Sequence, residues 1–139
     1  KKRKILITGG TGFIGYHLAK KCLKLNWKVE VSQQNYHRLE KIKKSKLYNI
    51  RYFKKQFIQK IKQDYDYVVN LAGYVDHSKS NQIVKTHFNG CKNLANYFLN
   101  TEIKKFVQIG SSIEYGKEKS PQKENNKKFK KTSPVHGSA

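Results

Sequence analysis

The chain has 139 residues, enough for one domain with a real core but short for a two-domain enzyme. Its formal net charge of +21 would suit a polyanion partner. The charge is nearly all lysine, however, spread along the chain with only Arg3, Arg38 and Arg51 to offer planar forks, so no specific nucleic-acid surface is expected.

The basic start Lys1 to Lys4 runs straight into an apolar strand rather than a signal-peptide core. No apolar run approaches the roughly 18 residues that span a bilayer, so neither export nor membrane insertion is expected. Cys22 and Cys91 stand singly, without metal-ligand spacing, and read as small buried side chains in a reducing cytoplasm; no metal site is expected.

Lys4-Ile-Leu-Ile-Thr8 reads as a buried strand, and Thr8-Gly-Gly-Thr-Gly-Phe-Ile-Gly15 follows it and opens an amphipathic segment running to Leu25. Strand, glycine turn and helix start come in the order that a dinucleotide pyrophosphate requires. Gly9 lets the chain turn sharply, Gly12 lets backbone approach phosphate oxygens, and Gly15 lets helix and sheet pack closely. Free N–H groups at the helix start then face the anion. The competing reading is an ordinary glycine-rich turn. Phe13, Tyr16, Leu18, Ala19, Cys22 and Leu23 are assigned to one side of this helix.

Val29-Glu-Val31 reads as the second strand, and Ile50-Arg-Tyr-Phe53 as a weaker one. Tyr67-Val-Val-Asn-Leu71 is the fourth, leading into Asn70-Leu-Ala-Gly73. A helix with Ile83, Phe88, Cys91, Leu94, Ala95 and Phe98 along one side follows. Phe106-Val-Gln-Ile109 is the fifth strand and runs into Gly-Ser-Ser-Ile-Glu-Tyr-Gly116. Alternating strands and helices predict an α/β chain, a Rossmann-like, doubly wound parallel sheet in the order 3-2-1-4-5. A ligand would sit beyond the carboxyl ends of strands 1 and 4. Residues 117–133 are rich in Lys and Asn, have no apolar face and read as an exposed loop.

Taken in order, these motifs resemble those of the extended short-chain dehydrogenase/reductase family, the nucleotide-sugar epimerases and dehydratases. TGGTGFIG matches the glycine turn, NLAG the strand-4 motif, THFNGCKNL the following helix and GSSIEYG the strand-5 motif. Pro121-Gln-Lys-Glu124 matches the PxxE loop. The wording of residues 73–77 and of GSSIEYG is most like reductases and epimerases of bacterial surface-sugar synthesis. The resemblance implies hydride chemistry at a sugar carbon, a nicotinamide cofactor and a nucleotide-sugar substrate.

It further implies that Thr11, Phe13 and Ile14 join Gly9, Gly12 and Gly15 around the cofactor, and that Leu71, Ala72 and Gly73 border its riboses. His87 stands where the family's helix usually carries an asparagine that helps hold the catalytic site; it either keeps a polar contact there or is a partly exposed helix histidine. Ser111 is the hydroxyl residue at the reaction centre, and Ser112, Tyr115 and His77 are placed on the substrate side. On their own residues His77 and its neighbour Asp76 read first as solvated loop residues. Family members often pair through helices flanking strands 4 and 5, so a homodimer is an open expectation.

The chain departs from the family pattern in several further places. His136 occupies the position of the family's proton-moving tyrosine, and the lysine expected after it would fall beyond Ala139. An imidazole, with an ordinary pKa of about 6.5, can shuttle a proton, but it is shorter than a phenol; the alternative is a helix-entry residue. At the end of strand 2, where an acid would hold the ribose hydroxyls of NAD, stand Ser32, Gln33 and Gln34, with Arg38 close by. NADP is therefore slightly favoured over NAD. Lys54 and Lys55 replace the acid often found near the adenine. Finally, the family's later strands and substrate lobe have no counterpart in these residues. The reading is of the N-terminal NAD(P)-binding part of such an enzyme, inactive as it stands. A noncatalytic dinucleotide-binding module is the alternative, and a basic nucleic-acid-binding protein a more distant one.

Overall fold

A computed structural model of the chain describes residues 1–32, 46–48, 59, 61–73, 80–110, 121 and 123. Gln33, Arg38, the 50–53 run, Lys54, Lys55, Asp76, His77, Ser111, Ser112, Tyr115 and His136 lie outside the described residues. So does the 117–133 loop apart from positions 121 and 123.

Strand β1 (Lys4–Thr8) leads into helix α1 (Phe13–Lys24) and strand β2 (Lys28–Ser32); β3 is Lys46–Tyr48 and β4 is Tyr67–Asn70. Next comes a helical rod of three parts: α2 (Ser80–Ile83), a π-helical segment (Val84–Gly90) and α3 (Cys91–Phe98). Strand β5 (Lys105–Gln108) closes the series. All pairings are parallel and the order is β3-β2-β1-β4-β5, as the alternation of elements predicts. The third strand lies at Lys46–Tyr48, ahead of the 50–53 run expected to form it.

Both sheet faces are covered, which is why β1 reads as a continuous apolar run. Ile5 and Ile7 pack with Val29 and Val31 against Ala19 and Cys22 of α1. Leu6 and Val68, on the opposite face, pack with Ile61, Tyr65, and Leu94 and Phe98 of α3. The chain winds outward from β1 to β3 and then returns to β4 on the other side of β1. Crossovers of constant hand therefore put α1 and α3 on opposite faces and leave the switch point between β1 and β4.

Helix α1 ends where Asn26 adopts a left-handed φ of 61° and the N–H groups of Leu25, Asn26 and Trp27 bond back to Lys21, Leu23 and Cys22. Trp27 then stacks on Tyr67 at 5.1 Å. Beneath the sheet Glu30 is buried, accepts the Tyr65 hydroxyl and pairs with Lys4 at 3.2 Å. Burial works to lower the Lys4 ammonium, but Asp64 and Glu30 outweigh it and hold its pKa above the ordinary lysine value.

Two residues placed on the apolar side of a helix are exposed. Phe13 is 75% exposed, its ring edge against His17 at 4.9 Å. Phe88 is 53% exposed and lies off the stripe formed by Ile83, Gly90, Leu94 and Phe98. Among the described residues, no helix is long and apolar enough to cross a membrane, and no cluster of His, Cys, Asp and Glu is arranged to hold a metal.

Candidate functional site

The glycine turn is shaped by what cannot fit. Gly9 has φ of +64°, and a Cβ there would stand 2.8 Å from the Leu71 carbonyl oxygen. The turn and the end of β4 are therefore in direct backbone contact, side by side at the switch point. The Gly9 N–H donates to the Ser32 carbonyl at 2.9 Å, which brings the end of β2 to the same place. A Cβ on Gly15 would meet Gly9 O and Gly10 Cα at 2.5 Å. Gly15 thus serves the packing of α1 against the turn, where close packing of helix against sheet was expected.

Gly12 is different. Its φ is −67°, and an added Cβ would touch only the Gly9 carbonyl, at 3.2 Å. The contact is tight, but the backbone is unstrained and the carbonyl need give by only a few tenths of an ångström. Helix α1 begins here with no side-chain cap and no acidic residue in its first turn, while Lys21 and Lys24 lie in its last. The first-turn N–H groups, which an α-helix leaves without internal partners, meet no side-chain cap, and the dipole has its positive end at the turn. Thr11 is buried in the turn, while Phe13 and Ile14 are exposed beside it.

Leu71 and Ala72 are half-buried and Gly73 is exposed. Their backbone is held from β1: the Leu71 N–H lies 3.2 Å from both the carbonyl and the hydroxyl of Thr8, and the Ala72 N–H donates to that hydroxyl at 3.2 Å. Gly73 lies under the His87 ring; a Cβ there would come within 2.8 Å of His87 Cε1. His87 projects from the π-helical segment, a local widening often found at functional positions. Gly9, Gly12, Gly15, Leu71, Ala72, Gly73 and His87 are thus brought to one rim of the sheet.

The sequence reading passed over several residues of this rim. Gly10 is fully enclosed, and a Cβ there would overlap Val31 Cγ1. Thr8 donates to Asn70 Oδ1, and Asn70 Nδ2 donates to Gln108 Oε1 at 2.6 Å, an oxygen that also accepts the Cys91 thiol at 2.9 Å. One signal for them was available: a polar residue stands at the carboxyl end of each apolar run or within one residue of it, at Thr8, Ser32, Asn70 and Gln108.

The description "NAD dependent epimerase/dehydratase family" matches the chain over residues 5–136. A UDP-N-acetyl-alpha-D-glucosaminuronate decarboxylase of Bacillus cytotoxicus is 30% identical over 125 residues, 84% of this chain and 39% of that protein. Among solved structures, the UDP-glucuronic acid 4-epimerase from Bacillus cereus in complex with NAD is 25% identical with a TM-score of 0.70, covering 84% of this chain and 42% of that one. The UDP-Glc/GlcNAc 4-epimerase from Campylobacter jejuni, 20% identical, superposes with a TM-score of 0.85 over 98% of this chain and 45% of its own, a likeness of fold. The chain spans less than half the length of each of these three relatives.

Proposed function

Because the chain belongs to the NAD dependent epimerase/dehydratase family, we propose that it is the nucleotide-binding part of an enzyme that moves a hydride at a sugar carbon of a nucleotide sugar. The observation that carries this reading is the cradle at the switch point: Gly9, Gly10 and Gly15 have no room for a Cβ, and the uncapped start of α1 opens beside them. These features fit a dinucleotide, whose pyrophosphate needs close backbone approach and an uncontested helix N-terminus. The bound nicotinamide would take a hydride from the sugar or return it.

In this reading Gly9, Gly12 and Gly15, with Thr11, Phe13 and Ile14, hold the pyrophosphate. Leu71, Ala72, Gly73 and His87 border the ribose. Ser111, with Ser112, Tyr115 and His77 nearby, serves the sugar, and His136 stands in for the tyrosine that moves a proton. Residues 1–139 act as one nucleotide-binding unit, carrying the 117–133 loop. NADP is slightly preferred: β2 ends at Ser32 beside the glycine turn, and Gln33 and Arg38 follow in place of a carboxylate that would repel a 2′-phosphate.

Titrating the chain with NADH and NADPH, following the enhancement and blue shift of nicotinamide fluorescence, tests the proposal. Saturable binding displaced by ADP-ribose supports it, and no binding of either nucleotide refutes it. One sequence feature favours a second reading, a noncatalytic dinucleotide module: His136 at the family's tyrosine position. That reading predicts binding without turnover of UDP-sugars, a defect that His136→Tyr alone does not repair.

A further inference from the structure

We infer that Gln108 is a positioning residue of the nucleotide crevice, holding the backbone of residues 71–73 in place through Asn70 and Thr8. The inference rests on the dinucleotide reading proposed above for its functional consequence, but its structural half stands on geometry alone.

Ser32, Thr8, Asn70 and Gln108 are register neighbours across β2, β1, β4 and β5, so their side chains form one polar rung on a single face at the carboxyl rim. Ser32, Thr8 and Asn70 are buried. The donors and acceptors of the rung leave a single consistent arrangement. Thr8 Oγ1 accepts the N–H groups of Leu71 and Ala72, so its one proton goes to Asn70 Oδ1. Asn70 must then turn Nδ2 toward Gln108, and Gln108 must answer with Oε1. That leaves Gln108 Nε2 for the Ile109 carbonyl, which it meets at 2.8 Å.

At the far end the Cys91 thiol donates to the same Oε1. Burial pushes this thiol's pKa up, against a smaller opposing effect from Asn70, and so keeps its proton in place at neutral pH. Gln108 therefore sets the orientation of the Asn70 amide. Were Asn70 to flip, Nδ2 would face a Thr8 hydroxyl already receiving two N–H groups. The Thr8 proton would lose its acceptor, and the hold on Ala72 would weaken. Gln108 itself is exposed, so replacing it opens no cavity. The Ile109 N–H to Asn70 carbonyl bond, at 3.3 Å, places this control where β4 and β5 both leave the sheet.

The test compares the unaltered chain with Gln108→Leu, which removes the acceptor, and Gln108→Glu, which keeps an acceptor for Asn70 and Cys91. Amide hydrogen exchange is read residue by residue by NMR, and NADH affinity by fluorescence. In Gln108→Leu, exchange at Ala72 should rise about three- to tenfold, the range of one net hydrogen bond, with Leu6 and Val68 unchanged. NADH affinity should fall by a similar factor, and Gln108→Glu should restore both. Unchanged exchange at Ala72 in Gln108→Leu, or equal losses in both variants, overturns the inference. If the unaltered chain binds NADH and Gln108→Leu binds it equally well, this inference alone fails. If the unaltered chain binds neither NADH nor NADPH, the dinucleotide reading fails and takes the crevice role with it.

Discussion

Replacing Gly9 by alanine should unfold this chain many degrees earlier, for two separable reasons. First, a φ of +64° suits glycine but costs an L-residue about 1–2 kcal/mol. Second, the new methyl would lie 2.8 Å from Leu71 O and 3.0 Å from Ala72 N. Neither backbone atom can retreat freely, because the Leu71 and Ala72 N–H groups are both tied to Thr8. Overpacking of this kind typically adds about 1–3 kcal/mol. The sum is about 2–5 kcal/mol, or about 7–15 °C in the melting temperature of a chain this size.

The assay is thermal unfolding followed by circular dichroism, with urea titration as a check. Gly12→Ala is the control: its backbone is in an ordinary region and its one close neighbour, Gly9 O, lies 3.2 Å away. That variant should lose less than about 1 kcal/mol, within the range of ordinary substitutions, while binding NADH more weakly. A melting temperature for Gly9→Ala within about 3 °C of the unaltered chain would refute the reasoning, since that is less than the backbone contribution alone.

Phe98→Ala should cost about 3–5 kcal/mol by urea unfolding, because Phe98 is 1% exposed and lies edge-on to Tyr65 and Tyr97. Asp66 accepts the Lys4 N–H and pairs with Lys104, which together hold its pKa below the ordinary aspartate value. A depressed folded-state pKa gives stability that is complete above about pH 4–5 and is lost as pH falls through the folded value. Asp66→Asn should therefore show a shallower decline in melting temperature between about pH 5 and pH 2 than the unaltered chain. Gly73→Ala should displace the His87 ring with little loss of stability, since a side chain can swing where backbone cannot. A shift of the His87 Cε1–H resonance without a matching change in melting temperature would bear this out.

Much of the fold was legible because its signals are local. A buried parallel strand needs an apolar run on both faces, and Ile5 to Ile7 supply one. A turn with positive φ calls for glycine, and Gly9 stands in that place. Strand order followed from alternation and constant crossover hand. Two misreadings concern exposure. Phe13 and Phe88 were placed on the apolar sides of their helices by hydrophobicity, yet both are exposed. Gly15 meets the backbone of Gly9 and Gly10, the turn that directly follows β1.

The sequence by itself determined the order of the elements, the places of all the strands but the third, and the glycine turn, because each depends on the torsional freedom or polarity of residues close together in the chain. Only the tertiary structure decided that Gly10 is enclosed by Val31, that His87 rests on Gly73, and that Thr8, Asn70, Gln108 and Cys91 form one hydrogen-bonded line. Thr8 and Asn70 are 62 residues apart, and Asn70 and Gln108 are 38 apart. No local pattern links side chains at such separations. They meet because parallel pairing sets the register of β1, β4 and β5, and a slip of one residue would turn each of them to the opposite face.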